Sequence, residues 1–300
     1  MDTRTALLVD AFTADPLAGN PAGVVPDAAG LSDDQMQAIA RELGATETAF
    51  VLPSEDADRR VRYFTPGQEV DLCGHATVAS HAYLFERAVI DGGTHTLETN
   101  VGVLDIEVTP EGMVWMTQNP PEVEEVDADY ERVADAIGVD VAALRDVGAD
   151  LPLARATTGL PFLLVPVNFL EHLGNADPDM AAIEALSEEY DTAGVYAFTF
   201  DALESESTLH ARMWAPGAGV AEDPVTGTAS GACGAYLDRM GAFSPTPDEM
   251  RFEQGHYVDR PGFVSVRVDG EEVRVGGRAV TALDGEVVVP PSDEDDIIEA

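Results

Sequence analysis

Four side chains in this sequence sit in settings where their chemistry could be used: Glu47 in ATETAFV, Cys73 and His75 in LCGHATVAS, and Asp223 in EDPVTGTAS. Glu47 precedes the apolar residues Ala49, Phe50 and Val51, which puts its carboxylate at the edge of a buried strand, where a general acid or base works best. A surface glutamate on a polar face is the plainer reading, and in so acidic a chain it stays open. Asp223, followed by Pro224, reads as a helix-start or turn acid, either structural or aimed at a substrate. Cys73 stands one residue before Gly74, where a helix start would stabilise a thiolate. Cys233 falls inside its helix and reads as a small buried hydrophobe. Neither the two cysteines nor the pair His75 and His81, which do not share a helix face, has metal-ligand spacing, so no metal site is expected.

Two of these positions belong to a repeat. GHATVASHAYL (74–84) aligns without gaps with GTASGACGAYL (227–237), sharing Gly, three Ala, Tyr and Leu, with Thr77 opposite Ser230. Upstream, VRYFTPG (61–67) matches ARMWAPG (211–217), and TETAFV (46–51) matches GVYAFTF (194–200) more weakly, in the same order. One half duplicates the other. A helix beginning at Gly74 or Gly227 offers unpaired amides and a positive dipole end, which favour an anion. With His75 and Thr228 at equivalent positions, the two starts are expected to clasp a carboxylate in a site shared by the halves; close packing is the alternative for each glycine.

The elements that must position these residues are mostly strands. RTALLVDAF, AGVVP, VGVLDIEV, GMVWMTQ, PFLLVPV, FVSVRV and EVRVGG alternate or run apolar and end at Gly, Pro or Asp. Apolar residues recur at helical spacing in LSDDQMQAIARELG, DYERVADAIG and DMAAIEALSEEY. The two repeated segments are apolar all round and built of short side chains, so each belongs inside a curved sheet. The expected organisation is α+β with two pseudo-symmetric domains: residues 1–118, completed by a C-terminal strand near 280–290, then 119–279, and an acidic tail at 291–300.

Composition removes several function classes. The 300 residues carry 56 acidic and 16 basic side chains, a net charge of -40, and every basic residue is Arg. Such a surface repels nucleic acid and anionic lipid, so neither is an expected partner. No window approaches the roughly 18 apolar residues of a membrane span, and the two cysteines cannot build a disulfide framework. A cytoplasmic protein is therefore expected. Without Lys there is no pyridoxal phosphate Schiff base and no Walker A loop.

DAFTADPLAGNPAGVV, ATETAFV, FTPGQEVDLCGHATVAS, EDPVTGTASGA and FEQGHYVDRPG together resemble the successive motifs of the PhzF-like phenazine-biosynthesis family, within the diaminopimelate-epimerase fold. The likeness runs from about Asp10 to about Arg278. It implies two similar domains, each a strongly bent, mostly antiparallel sheet wrapped round a central helix, an active site between them and a homodimer. It also implies chemistry with neither metal nor cofactor. By this resemblance Glu47 is the general acid/base, His75 and Asp223 orient the substrate, and Cys73, Gly74, Gly227 and Thr228 line its site. Thr228 stands where the family has Ser, keeping the hydroxyl and adding a methyl that bears on pocket size. Cys73 occupies the place of one thiol of the fold's two-thiol epimerases, with Asp223 near the place of the other.

The expected activity is a cofactor-independent isomerase that moves a proton within a small carboxylate-bearing substrate. An amino-acid epimerase or racemase using Cys73 with a carboxylate partner is the neighbouring reading, and a non-catalytic ligand-binding protein the distant one. Nothing in the sequence names the substrate. The charge generates one expectation of its own: the fold holds above ~1 M KCl, where the screening length is about 3 Å, and loses structure in dilute buffer. Circular dichroism during desalting checks it, and a thermal midpoint unchanged between molar and millimolar salt contradicts it.

Overall fold

Strands dominate the computed structural model, which describes residues 2–147 and 150–291. All but the first residue of the expected tail, 291–300, lies outside the described residues. Tertiary contacts divide the chain into two units, one formed by residues up to Met116 together with those from Gly277 onward, the other by Thr117–Gly276.

The first unit runs β1 (Thr3–Ala11), β2 (Asn20–Val25), α1 (Asp33–Leu43), β3 (Thr48–Leu52), β4 (Arg59–Phe64), β5 (Glu69–Val70), α2 (Gly74–Glu86), β6 (Gly93–Thr99), β7 (Gly102–Val108) and β8 (Val114–Thr117). The second runs β9 (Glu122–Glu125), α3 (Tyr130–Ile137), α4 (Ala142–Arg145), β10 (Ala154–Thr157), β11 (Pro161–Pro166), α5 (Leu170–Gly174), α6 (Met180–Glu189), β12 (Gly194–Thr199), β13 (Leu209–Ala215), β14 (Val220–Asp223), α7 (Gly227–Arg239), β15 (Met250–Gln254), β16 (Gly262–Asp269) and β17 (Glu272–Gly277). The chain then returns to the first unit as β18 (Ala279–Val288), antiparallel to β1.

The strand order of the first unit is β18-β1-β2-β3-β4-β6-β7-β8, with β5 folded back on β4. In the second unit it is β9-β10-β11-β12-β13-β15-β16-β17, with β14 folded back on β13. The two orders are the same, so the repeat read in short segments extends through both sheets. Each sheet is antiparallel except at two places: β2 with β3 and β4 with β6, matched by β11 with β12 and β13 with β15. Parallel neighbours need a crossover, and in the first unit α1 and α2 supply it. In the second unit α6 and α7 do the same.

The crossover helices differ in what they bury. Helix α1 is amphipathic, burying Met36, Ile39 and Ala40, and lies against the outside of its sheet. Helix α2 buries every residue from Ala76 to Leu84 and touches β1, β2, β3, β7 and β18, so the sheet must curl around it. Helix α7 likewise buries Ala229 to Leu237 and packs on β9, β10, β11 and β16. Close approach explains the small residues: a Cβ on Gly234 would lie 2.5 Å from Val266 Cγ1, and one on Gly231 would lie 2.9 Å from Val275 Cγ2. The architecture is thus α+β, two pseudo-symmetric sheets each curved around a helix.

Matching hydroxyl groups fix the start of each central helix. Thr77 donates to the carbonyl of Cys73 at 2.7 Å, and Ser230 donates to the carbonyl of Thr226 at 2.8 Å. A buried tyrosine meets each hydroxyl, Tyr63 with Thr77 at 2.6 Å and Tyr196 with Ser230 at 3.2 Å. Burial pushes both phenols above their ordinary pKa, so they stay neutral partners. His81, fully buried in α2, bonds the Thr77 carbonyl through Nδ1 at 2.9 Å, and burial pushes its pKa down to about 3. Among the described residues no helix is long and apolar enough to cross a membrane.

Candidate active site

Glu47 sits one residue before β3. Its carbonyl accepts from the amide of Gly23 at 2.9 Å, and a Cβ on Gly23 would lie 2.4 Å from Thr48 Oγ1, so glycine is what lets β2 come this close. Thr48, Ala49 and Phe50 are buried beyond it, whereas the Glu47 side chain at the strand's edge keeps 24% of its exposure. The start of α2 brings the other groups. Cys73, buried, is the N-cap residue in extended conformation, and His75 is the second residue of the helix.

The imidazole of His75 stands between a carboxylate and a thiol. Its Nε2 is 3.4 Å from Glu47 Oε2 and its Nδ1 is 3.4 Å from Cys73 Sγ. Burial lowers the His75 pKa from the ordinary 6.5, and the Glu47 charge offsets only part of that, so the ring is neutral at neutral pH. A neutral ring has one N–H. With that hydrogen on Nε2 it faces the carboxylate, and the Nδ1 lone pair faces the thiol.

Helices α1, α3 and α6 each begin with a side-chain cap, from Ser32, Asp129 and Asp179. Helices α2 and α7 have none. Their first-turn amides have no intrahelical acceptor and remain available to an anion.

In the second unit Asp223 closes β14 and Gly227 opens α7. The Thr226 hydroxyl donates to Asp223 Oδ2 at 2.5 Å. Gln254, buried at the end of β15, ties the turn together: its Nε2 donates to the Asp223 carbonyl at 2.8 Å and to Thr226 Oγ1 at 3.1 Å, while its Oε1 accepts from the Thr226 amide at 3.2 Å. Glu222 is committed elsewhere, in a bidentate pair with Arg212 at 2.9 and 2.8 Å and a bond from Trp214 at 3.2 Å. Thr228 accepts a bond at its carbonyl from Thr158 at 3.2 Å.

The fold therefore gathers Glu47, Cys73, Gly74 and His75 at one helix start, and Asp223, Gly227 and Thr228 at the other. Cys233 is fully buried and burial pushes its thiol well up, which leaves it inert. Gln254 was not singled out from the sequence; the only signal was its place in FEQGHYVDRPG. Spacing along the chain also missed two donor sets, Glu47 with Cys73 and His75, and His210 with Glu253 and His256. In each, one ligating atom per residue lies within 4.8 Å of the others.

A doubled sheet-around-helix unit defines the diaminopimelate-epimerase-like fold, shared with a hydroxyproline epimerase from Agrobacterium vitis at TM-score 0.59 and 18% identity, over 96% of this chain and 94% of that one. A family model described as phenazine biosynthesis-like protein matches residues 9–285. An uncharacterised isomerase of Bacillus subtilis is 36% identical over 293 residues, covering 96% of this chain and 97% of its own length. A solved PhzF-family phenazine biosynthesis protein from Bacillus anthracis superposes with TM-score 0.87 at 36% identity, over 96% of this chain and all (100%) of that one. The chain belongs to the phenazine biosynthesis-like family, and it is an isomerase.

The electrostatics of His75 give a direct expectation. Its ring titrates below 6.5 in the folded protein because of burial, and Glu47→Gln removes the charge that holds it up, so the variant titrates lower still. Imidazole proton shifts followed by NMR against pH check this. A higher His75 pKa in the variant contradicts it.

Proposed function

We propose that the enzyme moves a proton within a small carboxylate-bearing substrate without a cofactor, with Glu47 taking and returning the proton and His75 and Asp223 orienting the substrate. The observation that carries this reading is the Glu47 carboxylate 3.4 Å from an imidazole that burial keeps neutral. Glu47 removes a proton from carbon, the C–H electron pair passes into the adjoining unsaturated system, and the protonated Glu47 returns the proton at a second carbon. Charge that develops on the substrate, and its carboxylate, fall to the uncapped amides at Gly74 and Gly227. Asp223, pre-oriented by Thr226, accepts a hydrogen bond from the substrate. The hydroxyl of Thr228 is proposed to face the substrate, as the resemblance implies.

Cys73 favours a second reading. Its sulfur lies 3.4 Å from His75 Nδ1, near enough for the ring to take the thiol proton, and an epimerase or racemase would use the resulting thiolate. Composition and the family likeness add two further features to the proposal. The lysine-free composition and the charge of -40 support work in a cytoplasm of multimolar salt, and the family likeness supports a homodimer.

Solvent-deuterium exchange into a panel of amino and cyclic acids, measured in molar salt, separates the readings. Glu47→Gln is expected to lower exchange by ~10²–10⁴, the usual contribution of a general acid or base, while Cys73→Ala stays within about tenfold of the parent. A dead Cys73→Ala with an active Glu47→Gln installs the thiol mechanism instead. Exchange into no acid at all leaves only ligand binding. Thermal melts in the same salt confirm that both variants fold.

A further inference from the structure

A second group of titratable side chains lies in the second unit, and none of its members is used by the proton transfer. His210 on β13 and Glu253 on β15 are direct neighbours across two parallel strands, and both side chains are fully buried. His210 Nδ1 bonds Glu253 Oε1 at 2.8 Å. The same carboxylate accepts the amides of Leu203 at 2.6 Å and Glu204 at 3.0 Å.

A carboxylate that already accepts two backbone amides is an acceptor for the neutral His210 ring at Nδ1 as well. The hydrogen sits on Nδ1 and the lone pair on Nε2, the arrangement in which outer carboxylates set metal-binding histidines. That Nε2 is buried and has no hydrogen-bond partner. The Nδ1 of His256, whose ring centroid is 5.1 Å from that of His210, is also buried without a partner. Leaving a buried polar atom unmet is unfavourable, and one ligating atom from each of His210, Glu253 and His256 lies within 4.8 Å of the others. The turn that carries His256 is rigidly placed: Gly255 has φ of 87°, and a Cβ there would lie 2.2 Å from the Arg260 carbonyl and 2.6 Å from that of Pro224.

We propose that His210 Nε2 and His256 Nδ1 form a binding site for a divalent transition-metal ion, with Glu253 orienting His210 and supplying the compensating negative charge. Imidazole donors and a single carboxylate select zinc or its neighbours over magnesium or calcium, which take oxygen. His256 is only half-buried, which gives the ion a way in. Gln254, next to Glu253 on β15, holds the Asp223 turn, so an ion here anchors the strand end that positions Asp223.

The test uses Cys73→Ser protein in molar KCl, because Glu47, Cys73 and His75 form a competing donor set. Cobalt(II) titration is expected to give one equivalent with visible d–d bands and no thiolate charge-transfer band. Zinc competition against a chromophoric chelator is expected to show a loss of at least ~10-fold in affinity on adding His256→Gln. No binding by Cys73→Ser protein, or an affinity unchanged by His256→Gln, overturns the site. X-ray absorption of zinc-loaded Cys73→Ser needs no histidine variant: imidazole nitrogens near ~2.0 Å support the proposal and an oxygen-only shell overturns it.

Discussion

Enclosing an entire helix within a curved sheet is the constraint on which this protein depends. A helix that strands touch on all sides has no polar face, and its side chains must be short wherever a strand crosses. Gly234 against Val266 shows how little room is left. The helix starts differ as well. The outer helices α1, α3 and α6 can end in Ser32, Asp129 and Asp179, whose side chains satisfy first-turn amides, whereas α2 and α7 begin at glycines with no side-chain cap.

Around each uncapped start the fold places a different set of groups. In the first unit, strand β3 delivers Glu47 and the helix delivers Cys73 and His75, so burial of the imidazole and the charge of the carboxylate oppose each other on one ring. In the second, the turn before the helix is locked by Gln254, and Asp223 is oriented through Thr226. The alternation of a strand does the rest. Glu253 bonds His210 while its neighbour Gln254 bonds the Asp223 turn, so two adjacent side chains serve two separate groups of residues. The duplicated halves share topology and hydroxyl pairs, Thr77 with Tyr63 and Ser230 with Tyr196, but have diverged in their chemistry.

Much of this was legible in the sequence. The repeated segments identified both central helices, because a run of Gly, Ala, Ser and Thr at helical length has few uses outside an enclosed helix. Periodicity gave α1, α3 and α6, whose apolar stripes meet one sheet face, and alternation gave β1, β7, β11 and β16. Strand β6, with its exposed Gly93 and Thr94, carries too weak an alternation to stand out, and β9, EVEE, reads as a charged loop. Its pairing with β10 is a tertiary fact that local pattern does not contain. The chemistry was legible in the same uneven way. Glu47 and His75 stand far apart in sequence, and the apolar run after one, the glycine before the other and the family-like motifs around both marked them. His210, Glu253 and His256 come from two strands and a turn, so no spacing rule along the chain could join them.

The central proposal is that the uncapped starts of α2 and α7 each offer their amides to a substrate carboxylate. The most direct measurement follows the backbone amides of Gly74, His75, Gly227 and Thr228 by ¹⁵N NMR in molar KCl during titration with a small carboxylic acid that shows proton exchange. The account expects all four to shift together with one apparent dissociation constant, while the amides at the capped starts of α1, α3 and α6 stay fixed. Shifts confined to one helix start, or spread over the capped helices as well, would contradict it.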